Sequence, residues 1–394
     1  MFDMTEGFHL NPFVPAPQGH PPLARAAVVG AGAWGTALAC ALQRGHVSTR
    51  LWARRPEVAQ AIQRQRQHPD CLAGIPLPAG LAATADLAYA VDGAQLVILA
   101  VPSAVTRDLA RQLSGLLRPG TVVLTASKGI EKDTGALMTR VLDEALGAGV
   151  LAGSIGGPSF ADEVARGQST LLTLALPALA DGHPRQAAAR RLADTLARKL
   201  DRAAVSLEMT DDAVGAQIGG ALKNMIAIAC GMAMAQGMGE NARAGIITRG
   251  LDDMRRLALA MGGRVDTLLG SSGVGDLFLT AASEHSRNTR LGMRLGRGAE
   301  ASPAKELTEG AVSVFSVQVL EREYGVHLDV AAAVRDVLAQ RQTAAQALHH
   351  LLHARSPGRA APAALPPKFA SARPRIPRDG APRPAAPLRR PSYA

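Results

Sequence analysis

Lysine is rare in this chain: it stands at 128, 132, 199, 223, 305 and 368, and the other 37 of the 43 basic residues are arginine. Cysteine is rarer, with copies at 40, 71 and 230. That spacing supports neither a disulfide framework nor a cysteine metal site, so it points to a reducing compartment, the cytoplasm, and to no metal. Long apolar runs are missing; the longest, 225–235, is about a dozen residues and falls short of a bilayer span. The first 23 residues carry acids and prolines where a signal peptide carries bases and an apolar run, and read as a flexible leader.

Acid is nearly absent from the other end. Residues 355–394 hold nine basic side chains against Asp379 alone, so this stretch carries +8 of the net +10. It also holds ten of the 25 prolines and has no periodic apolar pattern, which marks 354–394 as a disordered basic tail. The body is left close to neutral. Its expected partner is a small molecule, and no nucleic acid is expected.

What is present is alternation. From 24 to 209, short β-branched runs such as "AAVVG", "TRLWAR", "AQLVILAVP", "TVVLTASKG", "LAGSIGGP" and "STLLTLAL" alternate with helical stretches. Such alternation predicts an α/β fold of the Rossmann type, a doubly wound, mostly parallel sheet covered on both faces. From 210 to 353 the strand-like runs cease, and helical spacing predicts an all-helical domain with segments at 211–236, 242–262, 275–283, 289–297, 308–323 and 330–352. Asp211 is available to cap the first of these.

"VVGAGAWGTALA" sets Gly30, Gly32 and Gly35 at G-x-G-x-x-G spacing between an apolar strand and a helix. The first glycine permits a tight turn, the second lets a pyrophosphate reach the backbone, and the third lets helix and strand pack closely. NAD sites end the next strand in an acid, whereas NADP sites offer arginine to the 2′-phosphate. Here "TRLWARRP" has no carboxylate before Glu57 and presents Arg54 and Arg55. NADP is therefore favoured and NAD remains possible; alternatively both arginines face solvent.

In "GGALKNMIAIACG", Lys223 stands in a small, apolar helix with Gly219, Gly220, Ile226 and Ala227 one turn away. A partly desolvated ammonium there would titrate near neutral pH and could exchange a proton, which arginine cannot do. The bland reading is a lysine reaching out to solvent. Asp276, in "SSGVGDLFLT", could orient that lysine or merely cap the next helix. Ser286, Arg287 and Asn288 in "SRNTRLG" suit an anionic substrate, or form an ordinary solvated turn. Lys128, in "ASKGIEKDTG", lies at the carboxyl end of an expected parallel strand, where open α/β sheets bind ligands.

Together "GAGAWGTALA", "VPS", "ASKGIE", "GGPSFADEVA", "IGGALKNMIAIACGMA", "NARAGIITRGLDDM", "GVGDLFLT", "SRNTRLG" and Glu309 follow one order over about residues 25–350. In this the chain resembles the bacterial NAD(P)-dependent glycerol-3-phosphate dehydrogenases. The resemblance implies a Rossmann domain and a helical domain that bind dihydroxyacetone phosphate, or sn-glycerol 3-phosphate, with a nicotinamide cofactor. It implies Lys223 as the catalytic proton donor or acceptor with Asp276 as its partner. Lys128, Gly157, Ser159, Ser286, Arg287 and Asn288 would meet the substrate. Ala33, Trp34, Arg54, Lys128, Ala161, Arg287, Leu307 and Glu309 would meet the cofactor. Two departures bear on substrate positioning: the family's "SGP" reads Gly156-Gly157-Pro158 here, and an aromatic usual after "VPS" is missing from "AVTRD". A related two-domain dehydrogenase of hydroxy acids, or a nucleotide-sensing module without catalysis, are the competing readings. A homodimer is compatible with any of them.

Overall fold

The computed structural model describes residues 23–147, 149–177, 184–299 and 308–353; the expected leader up to residue 22 and the tail from 354 lie outside them. In chain order the first half is β1 (Arg25–Val29), α1 (Ala33–Arg44), β2 (Ser48–Trp52), α2 (Pro56–Gln65), β3 (Ala82–Thr84), α3 (Leu87–Val91), β4 (Leu96–Leu99) and α4 (Ser103–Ser114). It continues through β5 (Val122–Thr125), α5 (Met138–Leu146), β6 (Leu151–Gly156), α6 (Ala161–Arg166), β7 (Thr170–Ala175), α7 (Pro184–Asp201) and β8 (Val205–Thr210). The strands form one sheet in the order β3-β2-β1-β4-β5-β6-β7-β8. The first six run parallel, β7 is antiparallel to β6, and β8 is parallel to β7.

Both faces of the sheet are covered. Every residue of β4 and β5 is buried, which is why these strands read as unbroken apolar runs rather than alternating ones. The period of two still sorts them. Val28, Ile98 and Leu124 join one apolar layer with Leu38 and Leu196, while Ala27, Val97 and Val123 join the other with Leu109 and Leu142. Strand order reverses between β1 and β4, which puts the switch point, where such folds bind ligands, directly above the glycine turn.

The second half is helical: α8 (Ala213–Ala235), α9 (Gly239–Ala260), α10 (Val265–Leu269), a π-helical turn (Ser271–Gly275), α11 (Asp276–Ala281) and α12 (Arg287–Gly296), followed by α13 (Glu309–Tyr324), α14 (Asp329–Leu338) and α15 (Ala344–His353). Two expectations need correcting. Asp211 does not cap α8: Asp212 accepts from Gly215 N at 2.8 Å, and Asp211 pairs with Arg264 instead. The single helix expected over 330–352 is two, because Gln340 turns at φ +55° and Thr343 caps a new start, accepting from Gln346 N at 3.2 Å. Although its longest apolar run is short, α8 is 23 residues long and contains an 18-residue stretch of mean hydropathy 1.4, enough by length and composition to cross a membrane. However, 89% of that stretch is buried by protein, as befits the central helix of a core.

Candidate active site

The phosphate-binding turn has the shape its glycines call for. Gly30 sits at φ +117°, where a Cβ would lie 2.5 Å from Ala100 O, and a Cβ on Gly35 would lie 1.9 Å from Gly30 O. Above Gly32 a Cβ would meet nothing within 4 Å. The first and third positions are thus closed by backbone, and the second opens onto space at the amino end of α1. Free N–H groups and the helix dipole favour an anion there. Ala33 and Trp34 begin that helix, and Trp34 Nε1 is buried without a partner among the described residues. These residues fit a dinucleotide. Ala161 opens α6, which packs against α1 through the same apolar layer. Leu307 lies outside the described residues.

Beyond β2 the two arginines differ. Arg54 is exposed and has no ion-pair partner among the described residues. Arg55 caps α2 and is engaged by Asp70, with Glu57 3.8 Å away.

Lys223 does not reach solvent. It lies in the middle of α8 with 6% of its surface exposed, and its Nζ donates to Asp276 Oδ1 at 2.5 Å and to Thr280 Oγ1 at 2.7 Å. The glycines beside it admit close neighbours. A Cβ on Gly219 would lie 2.7 Å from Ser272 O in the π-helical turn, and one on Gly220 would lie 3.6 Å from Lys128 Cγ. Asp276, 1% exposed, starts α11 without serving as its cap, and its second oxygen accepts from Lys128 Nζ at 2.7 Å. One carboxylate therefore bridges two ammonium groups. Lys128 also donates to Gly157 O at 3.0 Å, the same carbonyl that takes the Ser159 hydroxyl at 3.0 Å. Burial drives the Lys223 pKa down to about 8; Lys128 pushes the same way, and Asp276 opposes. Removing water from around the ammonium outweighs its one buried counter-charge, as expected when that charge is shared.

Glu309 is the first residue of α13 and lies near both lysines. Burial raises its carboxyl above the usual range, against the pull of Lys128, the Ser103 N–H, Arg287 and Lys223. Asn288 Nδ2 donates to Asn224 Oδ1 at 2.9 Å, leaving Asn288 Oδ1 buried and unpaired among the described residues. Arg287 is exposed beside them. Ser286 is occupied: its hydroxyl caps α12 by accepting from Thr289 N at 3.3 Å. At Gly156 a Cβ would be 3.7 Å from Lys128 Cε, ordinary contact, so the missing serine side chain leaves Lys128 unhindered.

The fold thus gathers Lys128, Gly157, Ser159, Lys223, Asp276, Arg287, Asn288 and Glu309 at the seam between the sheet's carboxyl edge and the helical half. Thr280 and Asn224 join them unannounced. Thr280 lies four residues after Asp276 on one helical face, a spacing that the sequence did carry. His68, which donates from Nε2 to Ala31 O in the glycine turn at 2.8 Å, gave no local signal because 37 residues separate the two.

Comparison with known proteins identifies the family and the fold. Residues 25–180 match the model of the NAD-dependent glycerol-3-phosphate dehydrogenase N-terminus, and 212–349 match that of the C-terminus. The chain is 40% identical over 330 residues to a glycerol-3-phosphate dehydrogenase (NAD(P)+) of Stenotrophomonas maltophilia, covering 83% of this chain and 94% of that protein. A protein of the same name from Rhodospirillum rubrum is also 40% identical, with coverage of 83% and 91%. Among solved structures, glycerol-3-phosphate dehydrogenase from Coxiella burnetii superposes with a TM-score of 0.77 at 31% identity, over 84% of this chain and all of that one.

Proposed function

This chain belongs to the NAD-dependent glycerol-3-phosphate dehydrogenase family, and from that we infer its function. It is an oxidoreductase that uses NAD(P)(H) to interconvert dihydroxyacetone phosphate and sn-glycerol 3-phosphate, the backbone of glycerophospholipids. The observation that carries the mechanism is the buried Lys223–Asp276–Lys128 bridge. When bound, the reduced nicotinamide supplies the hydride to the carbonyl carbon. As charge builds on the carbonyl oxygen, the Lys223 ammonium stabilises it and passes it a proton, leaving a neutral amine. Asp276 and Thr280 fix the direction of Nζ, and Lys128 adds a second positive charge. Arg287 and the free Oδ1 edge of Asn288, with its neighbour Asn224, are assigned to the substrate's polar end.

The cofactor assignment favours NADPH, supported by the unpaired Arg54 and by the absence of a carboxylate at the end of β2. The division of labour follows the chain: 24–209 for the dinucleotide and 210–353 for the substrate, the chain passing from β8 into α8 near Thr210. The cytoplasm is the assigned compartment, in keeping with three free cysteines. Oxidation of NADPH by the purified chain with dihydroxyacetone phosphate tests the reading directly. A faster reaction with the keto form of a hydroxy acid would instead select that class of dehydrogenase.

A further inference from the structure

The loop after α2 is strapped to the glycine turn by one ring. His68 is 7% exposed; its Nε2–H donates to Ala31 O at 2.8 Å, and its Nδ1 accepts from Asp70 N at 3.1 Å and Cys71 N at 3.2 Å. Accepting two N–H groups fixes the tautomer, with the ring proton on Nε2. Asp70 is therefore held at a set distance from the turn that fits the pyrophosphate. From there its carboxylate engages Arg55, one of the two guanidinium groups at the end of β2, and leaves Arg54 unpaired.

The end of β2 is where the adenosine ribose of a dinucleotide lies. An acid at that place accepts from a ribose 2′-hydroxyl, and an arginine there receives a 2′-phosphate. This chain has both groups, the arginines on β2's own exit and the acid brought from 15 residues away. Resting on the reading that the chain binds NAD(P), we propose that Asp70 is a specificity-determining residue that restrains the preference for NADPH. It occupies Arg55 and sets a like charge beside a 2′-phosphate, while offering an acceptor that a ribose 2′-hydroxyl tolerates. The enzyme is thereby open to both cofactors, with Arg54 tilting it one way and Asp70 the other.

The test is direct binding of NADPH and NADH to the full chain by calorimetry, for the natural sequence and for Asp70→Asn. Losing one like charge and freeing one exposed arginine is expected to tighten NADPH binding about three- to tenfold while NADH binding stays level or weakens. Steady-state kcat/KM ratios for the two cofactors should move in parallel. Asp70 is half exposed in a surface pair, so the substitution leaves the core intact. His68→Ala, which loosens both the turn and the placing of Asp70, is expected to weaken both cofactors and to shift their ratio less than Asp70→Asn does. Equal affinities in Asp70→Asn and the natural chain would overturn the assignment. So would a ratio that shifts in His68→Ala but stays fixed in Asp70→Asn. If the natural chain binds neither cofactor, the parent reading fails instead.

Discussion

At the scale of single residues, the chemistry depends on an amine whose proton is loosely held. Lys223→Ala removes it, while Lys223→Arg keeps a charge that does not leave at neutral pH. Both are expected to lower kcat for ketone reduction at least about a hundredfold, within the usual contribution of general acid catalysis. An arginine that restored activity would show that charge alone suffices. The pH profile follows from the same burial. Because the Lys223 pKa is lowered to about 8, the ammonium needed for reduction is present below that value, and kcat/KM for reduction should fall as pH rises through it. Oxidation of the alcohol needs the neutral amine, so its rate should climb toward the same pH from below. The sign for stability is separate: an amine more acidic when folded costs most below about 8, and that cost is relieved as pH rises toward the unfolded value. Opposite limbs in the two directions of the reaction are the diagnostic result; profiles that both fall above pH 8 would deny Lys223 its role.

Helices carry the next level, because the seam exists only while α8 and α12 touch at backbone distance. A Cβ on Gly231 would stand 2.1 Å from Thr289 O, and one on Gly292 would stand 2.0 Å from Ile228 O. Alanine in either place would gain up to about 1 kcal/mol of helix propensity. It would also force apart two backbones that have no side chain to yield, at about 1–3 kcal/mol. Packing wins, so Gly231→Ala and Gly292→Ala should each lower Tm by several degrees in calorimetry. Gly115→Ala, with nothing within 4 Å and φ −83°, should leave Tm level or slightly higher. Such close crossings are what the sequence conceals. The glycine turn, the buried strands and the lysine helix were legible because each is a local pattern: a spacing, an apolar run, a break in composition. β3 is three residues of "AAT" with no apolar run to mark it, and α3 has five residues. Asp276 could be paired with Lys223 from its motif, but its bridging to Lys128, 148 residues away, is a property of the assembled fold. Ser286 looked like a ligand group for its company; its position before a helix was the better guide to what its hydroxyl does.

For the whole molecule, what matters is how charge is divided along the chain. Nearly all of the net +10 belongs to residues 354–394, while the groups assigned to anionic ligands, Lys128, Lys223, Arg54 and Arg287, belong to the body. Both substrate and cofactor are anions, which a basic segment attracts. The two ammonium groups next to Asp276 are within 3 Å of it, and at physiological ionic strength attraction between exposed charges is largely screened beyond about 8 Å. The body therefore carries its own charges for binding anions. Deleting 354–394 is therefore expected to leave kcat and the KM for dihydroxyacetone phosphate within about twofold at 0.15 M salt. The same deletion should abolish retention on a cation exchanger at neutral pH, since it removes most of the excess that sets the sequence pI near 10.2. Lost retention with kinetics unchanged would confine the tail to surface charge. A tenfold rise in KM, reversed by lowering the salt, would mean that the tail steers anions into the seam, and the claim that the body is self-sufficient would fall with it.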